Sequence, residues 1–158
     1  MTALLDRLAA EALPNRSGLE VWATLLRAHA TLMRRLEADL AEATGLALAD
    51  FDVLAQLAQA GGELRMAELA DRALISRSGM TRRVARLVDE GLVRRANAGS
   101  DRRGVVVELT DAGVARLAET APVHLRAVSE MFVARLDEQE LAVLKSALDK
   151  VVVDCTFG

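Results

Sequence analysis

The spacing of apolar residues changes from a helical period to a strand period between Met66 and Gly113, and this change restricts the chain to few folds. Apolar side chains recur every three or four positions in residues 66–70 and again in residues 80–88, which predicts two short amphipathic helices. Apolar residues then occupy every second position from Val105 to Leu109, which predicts a strand buried on one face. The stretch therefore predicts two helices followed by a β-ribbon.

The ends of these elements carry residues that cap helices or allow turns. Ser76 or Ser78 can accept a hydrogen bond from an early backbone N–H and so begin the second helix, and Gly91 is expected to end it. Residues 92–95 are the expected first strand, and residues 96–101 have turn composition. Thr110 is a suitable cap for the helix that follows the ribbon.

Longer helices are predicted before the ribbon. An apolar stripe at alternating spacings of four and three indicates one long helix, beginning near Ser17 and ending at Gly45; its members are Trp22, Leu26, His29, Met33, Leu36 and Leu40. A further helix is expected over residues 48–60, and residues 63–65 are expected to form a single extended edge.

Helices are also predicted after the ribbon. Pro122 lacks a backbone donor and disfavours helical geometry in the residue before it, so a kink or a restart is expected there. Asp137 and Glu140 have the spacing of a helix-capping pair, and a last apolar stripe follows them. Long amphipathic helices at both ends of a small chain often pair with a second copy.

The expected fold class is mainly α with a small β-wing (α+β), a winged helix-turn-helix flanked by N- and C-terminal dimerisation helices. The expected domain boundaries place residues 47–110 in the winged helix-turn-helix and residues 1–46 and 111–158 in the helical dimerisation region.

Charge is distributed unevenly along the chain. Nine arginines and three acidic residues lie between Arg72 and Arg103, so this stretch carries +6 while the whole chain carries −3. A basic block on an acidic body is typical of a module that binds an anion such as nucleic acid. The alternative interpretation is an arginine-rich helix face that is merely solvated.

Composition indicates the compartment. Apolar residues make up 52% of the chain, but no apolar run is long enough to span a bilayer. The single cysteine, Cys155, cannot form an intrachain disulfide and agrees with a reducing environment. We therefore expect a cytoplasmic protein without a membrane partner.

Five short motifs in this order resemble the MarR family of bacterial and archaeal regulators. They are MAELA (66–70), ISRS (75–78), VDEGLV (88–93), DRR (101–103) and LTDAG (109–113). The resemblance covers roughly Ser17 to Val153, and the DRR turn followed by LTDAG is its most specific part. One departure is Ala47, where family members often have a serine or threonine that caps the next helix; Asp50 can still complement that helix N-terminus.

The resemblance implies a dimer that binds double-stranded DNA at a pseudo-palindrome. The helix from Ser76 to Glu90 would be the recognition helix, because the early outward residues of such a helix reach base edges in the major groove. The candidate DNA-binding residues are Arg77, Ser78, Thr81, Arg82, Arg83, Arg102 and Arg103. Arg83 and Arg86 suit phosphate contacts or intramolecular ion pairs. Asp101 would order the wing by pairing with an arginine, the alternative for this segment being an ordinary charged turn.

A ligand site is also implied by the resemblance. It would be a cleft between the helical region and the winged module, where small aromatic or anionic ligands bind. Residues that could line it are Trp22, His29, Met33 and Phe51. The alternative for His29 is a hydrogen-bonded histidine of the core or dimer interface, and Trp22 and Met33 could be plain packing residues.

Other classes of function lack support in the sequence. No nucleophile–base pair, glycine-rich phosphate loop or metal-ligand spacing appears, so we expect neither an enzyme nor a cofactor. The function predicted is a dimeric, sequence-specific transcriptional regulator, a ligand-responsive repressor. The alternatives are a winged-helix protein-interaction module that does not read DNA and a redox switch based on Cys155.

Overall fold

The computed structural model describes residues 17–73, 75–97 and 104–155. The described part of the chain is mainly helical with one small sheet. Its elements in order are α1 (Ser17–Thr44), α2 (Leu48–Gln59), β1 (Glu63–Arg65), α3 (Met66–Arg72), α4 (Arg77–Asp89), β2 (Val93–Asn97), β3 (Val105–Leu109), α5 (Asp111–Met131), a 3₁₀ turn (Val133–Arg135) and α6 (Glu138–Cys155). This architecture confirms the predicted fold class.

The sheet has the antiparallel order β1–β3–β2, so the last strand in sequence is the central one. Val107 of β3 lies opposite Leu64 of β1 and opposite Arg95 of β2. The short extended edge predicted at residues 63–65 is thus a strand that closes one side of the wing.

One hydrophobic core holds α2, α3, α4 and the sheet together. Leu54, Leu57, Leu69, Val84 and Val107, which come from these elements, are fully buried. Each was on an apolar face expected from the residue spacing, because burial of apolar area is the main driving force that aligns amphipathic elements.

The caps at α4 and α5 are those that the sequence predicted. Ser76, rather than Ser78, is the N-cap of α4, and its Oγ accepts from the N–H of Gly79 at 3.2 Å. The Thr110 Oγ accepts from the N–H of Gly113 at 3.0 Å and donates to the Gly91 carbonyl at 2.7 Å. Thr110 therefore joins the start of α5 to the turn at which α4 ends.

The cap of α2 was not foreseen. Ala47 at the N-cap position has no side chain that can accept a hydrogen bond. The Glu37 carboxylate of α1 accepts from the N–H of Leu48 at 3.0 Å instead. A carboxylate from another helix thus supplies the negative charge that a helix N-terminus favours.

Gly113 fixes how closely α5 approaches the wing. A Cβ at this position would lie 2.1 Å from the Leu92 carbonyl oxygen and 2.8 Å from Leu109 Cδ1. No other residue can stand there without moving backbone, which explains the glycine in the Leu-Thr-Asp-Ala-Gly motif.

The restart expected at Pro122 is wrong. Helix α5 runs without interruption from Asp111 to Met131, with Pro122 exposed inside it. The flanking turns are held by other contacts: Thr120 is fully buried, and its hydroxyl donates to the Arg116 carbonyl at 2.8 Å. Ala121 and Val123 pack against the core. Tertiary packing outweighs the local cost of one missing backbone hydrogen bond here.

Among the described residues, helices α1 and α6 each expose several large apolar side chains. On the first half of α1, Trp22 is 55% exposed and Leu26 48% exposed. On α6, Val143 is 70% exposed and Val152 59% exposed. Within the described residues, no helix has the length and apolarity needed to cross a membrane.

Candidate nucleic-acid interface

Helix α4 is amphipathic, and its two faces have different environments. Met80, Val84 and Leu87 are fully buried against the core. The residues that sequence analysis assigned to DNA at the start of this helix, Arg77, Ser78, Thr81 and Arg82, are all exposed. The structure thus brings four of the candidates together on one accessible surface at the N-terminal end of α4.

Hydrogen bonds within this surface orient two of its members. The Thr81 hydroxyl donates to the Arg77 carbonyl at 2.9 Å, so its hydrogen is directed at the helix backbone and its oxygen can still accept a hydrogen bond. Ser76 and Ser78 hydroxyls lie 3.4 Å apart. Arg82 has no carboxylate partner among the described residues, so its guanidinium is available to an incoming acceptor.

Arg83 is placed differently from the other candidates. Its Nη1 lies 2.8 Å from Oδ1 of Asp50, and its side chain is 25% exposed. Arg86, one turn further along α4, donates to both oxygens of the same carboxylate. Asp50 is 4% exposed, so one buried carboxylate of α2 is shared by two arginines of α4. We call this group the Asp50 clamp (Asp50, Arg83 and Arg86).

The clamp explains part of the pKa pattern of the site. The hydrogen bond from Arg86 to Asp50 and the attraction of that carboxylate raise the pKa of Arg86, which keeps it charged. From the sequence, Asp50 was expected only to complement the positive end of the α2 dipole at the helix N-terminus. The signal that could have found the clamp is an apolar helix face that includes one aspartate, since such a carboxylate needs a cationic partner.

A second group lies beside the clamp, where α2 meets α5. The rings of Phe51 and His124 pack with centroids 4.5 Å apart. The His124 Nδ1 atom is buried and has no hydrogen-bond partner within the described structure. Burial lowers the pKa of His124, and the nearby Asp52 carboxylate opposes that shift in part. Burial also raises the pKa of Asp52, although Gln56, His124 and Arg83 favour its charged form.

A basic cavity of about 430 Å³ opens between α4 and the wing. It is lined by Arg65 at the end of β1, Arg77 and Thr81 of α4, and Arg95 of β2. The Arg95 guanidinium donates to the Thr81 carbonyl at 3.2 Å, which holds it against α4. No acidic residue lines this cavity among the described residues. Arg65 and Arg95 were absent from the sequence-based candidates because neither lies on a helix face.

The remaining candidates fall elsewhere. Asp101, Arg102 and Arg103 of the wing lie outside the described residues. The four candidate ligand residues are not gathered in one place: Trp22, His29 and Met33 are exposed on α1, whereas Phe51 is buried. A cavity of about 930 Å³ between α1 and α5 contains none of the four and is lined in part by Arg34, Arg35, Arg126 and Arg135.

Comparison with known proteins agrees with this geometry. The family model described as "MarR family" matches residues 44–104. Sco3205, a MarR family transcriptional regulator from Streptomyces coelicolor solved in complex with DNA, is 32% identical with a TM-score of 0.86, covering 92% of this chain and 96% of that one.

Two further structures are similar over most of their length. AbsC, a MarR family transcriptional regulator from Streptomyces coelicolor, is 30% identical with a TM-score of 0.83, covering 90% of this chain and 96% of that one. The transcriptional regulator BldR from Sulfolobus solfataricus is 28% identical with a TM-score of 0.76, covering 87% and 96% respectively. No curated protein sequence matches the chain significantly.

The Asp50 clamp predicts a large stability difference between two aspartate substitutions. Asp50→Asn removes the buried charge that two arginines share, and we expect the free energy of unfolding to fall by about 3 kcal/mol, the lower end for breaking a buried pair, because Arg86 can reach water. The matched control is Asp149→Asn, which breaks the exposed pair with Lys145 and should cost less than about 0.5 kcal/mol. Urea unfolding measures both, and equal losses would refute the clamp.

His124 predicts a pH dependence of stability. Its pKa is lower in the folded protein than the ordinary value of 6.5, so the unfolded chain takes up this proton first as the pH falls. This contribution to stability is present above pH 6.5 and is lost below it. We expect the urea midpoint to drop between about pH 7.5 and about pH 5.5, and the drop to shrink in His124→Gln.

The control for this experiment is Leu125→Gln, which alters an exposed residue beside His124 on α5 and leaves both histidines in place. It should keep the pH dependence of the unmodified protein. Asp52 has the opposite sign, because its pKa is raised: its contribution to stability grows as the pH falls and is fully present below the ordinary aspartate value of 3.8. An unchanged pH dependence in His124→Gln would contradict the assignment.

Proposed function

This chain belongs to the MarR family of transcriptional regulators, and on that premise we propose that it is a dimeric, sequence-specific DNA-binding repressor that responds to a small ligand. The observation that carries the proposal is the exposed surface at the start of α4, in a chain 32% identical to a regulator solved in complex with DNA. In the proposed division, residues 47–110 bind DNA and residues 1–46 and 111–158 form the dimer.

Base reading is assigned to the N-terminal half of α4. Arginine can donate both arms of its guanidinium to O6 and N7 of a guanine, and serine or threonine can contact bases or phosphates. Arg77, Ser78, Thr81 and Arg82 have the exposure that this requires. Of the two roles expected for Arg83, a phosphate contact or an intramolecular ion pair, we assign the ion pair, because its Nη1 is already 2.8 Å from the Asp50 carboxylate and this contact holds α4 against α2.

The wing is assigned to affinity. Arg102 and Arg103 lie in the sequence between β2 and β3, and arginines at such a position can enter a narrow minor groove, where the negative potential is enhanced. Asp101 would repel phosphate and is assigned to shaping the wing.

Dimerisation is supported by the two uncovered apolar surfaces of α1 and α6. A protein that leaves Trp22, Leu26, Val143 and Val152 about half exposed or more has an apolar area that a second copy would bury. In a two-fold dimer the two α4 helices would meet half-sites about one helical turn, roughly 10 base pairs, apart.

Ligand response is assigned to the junction of α2 and α5. Phe51 and His124 pack there, and Phe51 directly follows Asp50, which belongs to the clamp on α4. Trp22, His29 and Met33 lie on the surface that the second copy would cover, so they would line a cleft only in the dimer. A ligand that binds one spacing of the two modules more tightly shifts the dimer toward that spacing.

The first test is selection of bound fragments from genomic DNA, followed by gel-shift titration at several salt concentrations. Arg82→Ala should lose about 1–3 kcal/mol of discrimination at one base pair. Arg102→Ala/Arg103→Ala should weaken all sequences alike and lower the salt slope by about 0.9 for each phosphate that is no longer neutralised. If no fragment is retained above non-specific DNA, the proposal fails and a protein-interaction module takes its place.

The second test concerns the dimer. Trp22→Asp puts a charge in the proposed interface and should weaken self-association by at least about 30-fold, the effect expected for a central aromatic residue. Val114→Asp is the control, because Val114 is 53% exposed but lies at the start of α5 beside the wing. Sedimentation equilibrium measures both. A monomeric unmodified protein, or equal effects of the two substitutions, would exclude this interface.

Repression is tested by transcription. The genes beside the regulator's own are the ones to measure, because regulators of this kind commonly act on neighbours. Higher transcript levels after its deletion would support a repressor, and lower levels would make it an activator.

A further inference from the structure

Arginines of the winged module fall into two groups that differ in their surroundings. The first group has carboxylate partners: Arg83 and Arg86 share Asp50, and the exposed Arg94 pairs with Glu108. The second group lines the basic cavity between α4 and the wing. Among the described residues, neither Arg77 nor Arg95 of this second group forms an ion pair.

The cavity gathers its cations from three separate elements. Arg65 comes from β1, Arg77 from α4 and Arg95 from β2. The sheet places the first and last of these one register position apart across β3: Arg65 lies opposite Val106 and Arg95 opposite Val107, and both line the cavity. Arg77 and Arg95 carry like charges that repel each other, and an anion held beside them would offset that repulsion.

The hydrogen bond of Arg95 suggests how such an anion would be held. One arm of its guanidinium, Nη2, donates to the Thr81 carbonyl at 3.2 Å. That bond anchors the side chain to α4 and leaves the rest of the planar fork to face the cavity. Guanidinium groups bind phosphate oxygens through two parallel N–H donors, a geometry that lysine cannot supply.

The position of the cavity identifies the anion. It shares Arg77 and Thr81 with the exposed surface of α4 to which base reading is assigned. When the start of a helix lies in the major groove, the space between that helix and the wing faces the sugar–phosphate strand bordering the groove.

We propose that the basic cavity formed by Arg65, Arg77 and Arg95 holds one backbone phosphate of the bound DNA strand and thereby sets the register of α4 in the groove. This inference rests on the proposed function. It adds Arg65 and Arg95 to the interface as positioning residues, which contribute affinity and not base choice.

The experiment uses a synthetic duplex with the sequence of the bound genomic fragment. A neutral methylphosphonate replaces one backbone phosphate at a time, and the affinity is measured for each position. One position in each half-site should weaken binding of the unmodified protein by about tenfold, the value of one charge-assisted hydrogen bond of about 1.4 kcal/mol. Arg65→Gln/Arg95→Gln should bind the native duplex more weakly, and it should not distinguish that methylphosphonate from the native phosphate. The absence of discrimination in this variant would demonstrate direct coupling between the side chains and one phosphate.

The matched control is Arg94→Gln. Arg94 precedes Arg95 on the same strand, carries the same charge and pairs with Glu108 outside the cavity. This variant should lose affinity at the same methylphosphonate positions as the unmodified protein; we call these losses the methylphosphonate pattern. An unchanged pattern separates a local effect from a general reduction of positive charge. The conservative variant Arg65→Lys/Arg95→Lys should bind with intermediate affinity, and thermal unfolding of each variant confirms that it is folded.

The outcomes separate the two proposals. If the unmodified protein binds its fragment but the double glutamine variant keeps the same methylphosphonate pattern, the cavity does not hold a phosphate and the proposed function stands. If the glutamine variant is unfolded but the lysine variant binds DNA, the comparison is made with the lysine variant. The methylphosphonate at that one position must then reduce the affinity of the lysine variant by less than it reduces the affinity of the unmodified protein. If the unmodified protein retains no DNA, the proposed function itself is wrong.

Discussion

The buried carboxylate of Asp50 is the interaction on which the arrangement of the winged module depends. It is almost completely removed from water, and it is stable there because Arg83 and Arg86 both donate to it. A buried charge of this kind costs several kcal/mol unless it is paired and hydrogen-bonded. The same pairing fixes α4 in rotation, because two arginines one turn apart must both face α2. The contacts of Arg83 and Arg86 with Asp50 therefore determine which residues of α4 are exposed on its opposite face.

Helix α2 carries this constraint to the rest of the chain through three consecutive residues. Asp50 contacts α4, Phe51 packs on His124 of α5, and Asp52 interacts electrostatically with both His124 and Arg83. At the N-terminal end of α2, the Glu37 carboxylate caps the helix from α1. A single short helix is thus in contact with the helix proposed to read DNA and with both long helices of the scaffold. Helix α2 therefore connects α1 and α5 to the carboxylate that holds α4.

Patterns among neighbouring residues in the sequence predicted much of this fold, whereas the contacts between residues far apart in the sequence were not predicted. The Ser76 cap, the glycine after α4 and the alternation in β3 depend on residues a few positions apart, and the structure confirms each of them. The Glu37 cap, the Asp50 clamp and the convergence of Arg65 with Arg95 join residues separated by 11 to more than 30 positions, for which no period exists. The restart expected at Pro122 is wrong for a related reason, since the residues on either side of it, Ala121 and Val123, pack against a core built from other parts of the chain. The wing residues 101–103 and the set proposed to bind ligand remain predictions.

The strand order also has a consequence for how the protein is made. Strand β3 lies between β1 and β2, so the strand partner of Leu64 is Val107, which is synthesised later. Helices α3 and α4 leave the ribosome before the strand that completes the sheet beneath them, and closure of this long loop has an entropic cost that local helix formation does not have. Val84 of α4 and Val107 of β3 belong to the same buried cluster, so that cluster is complete only when β3 is present. During translation, then, the helix proposed to read DNA acquires its support from a segment that follows it in the chain.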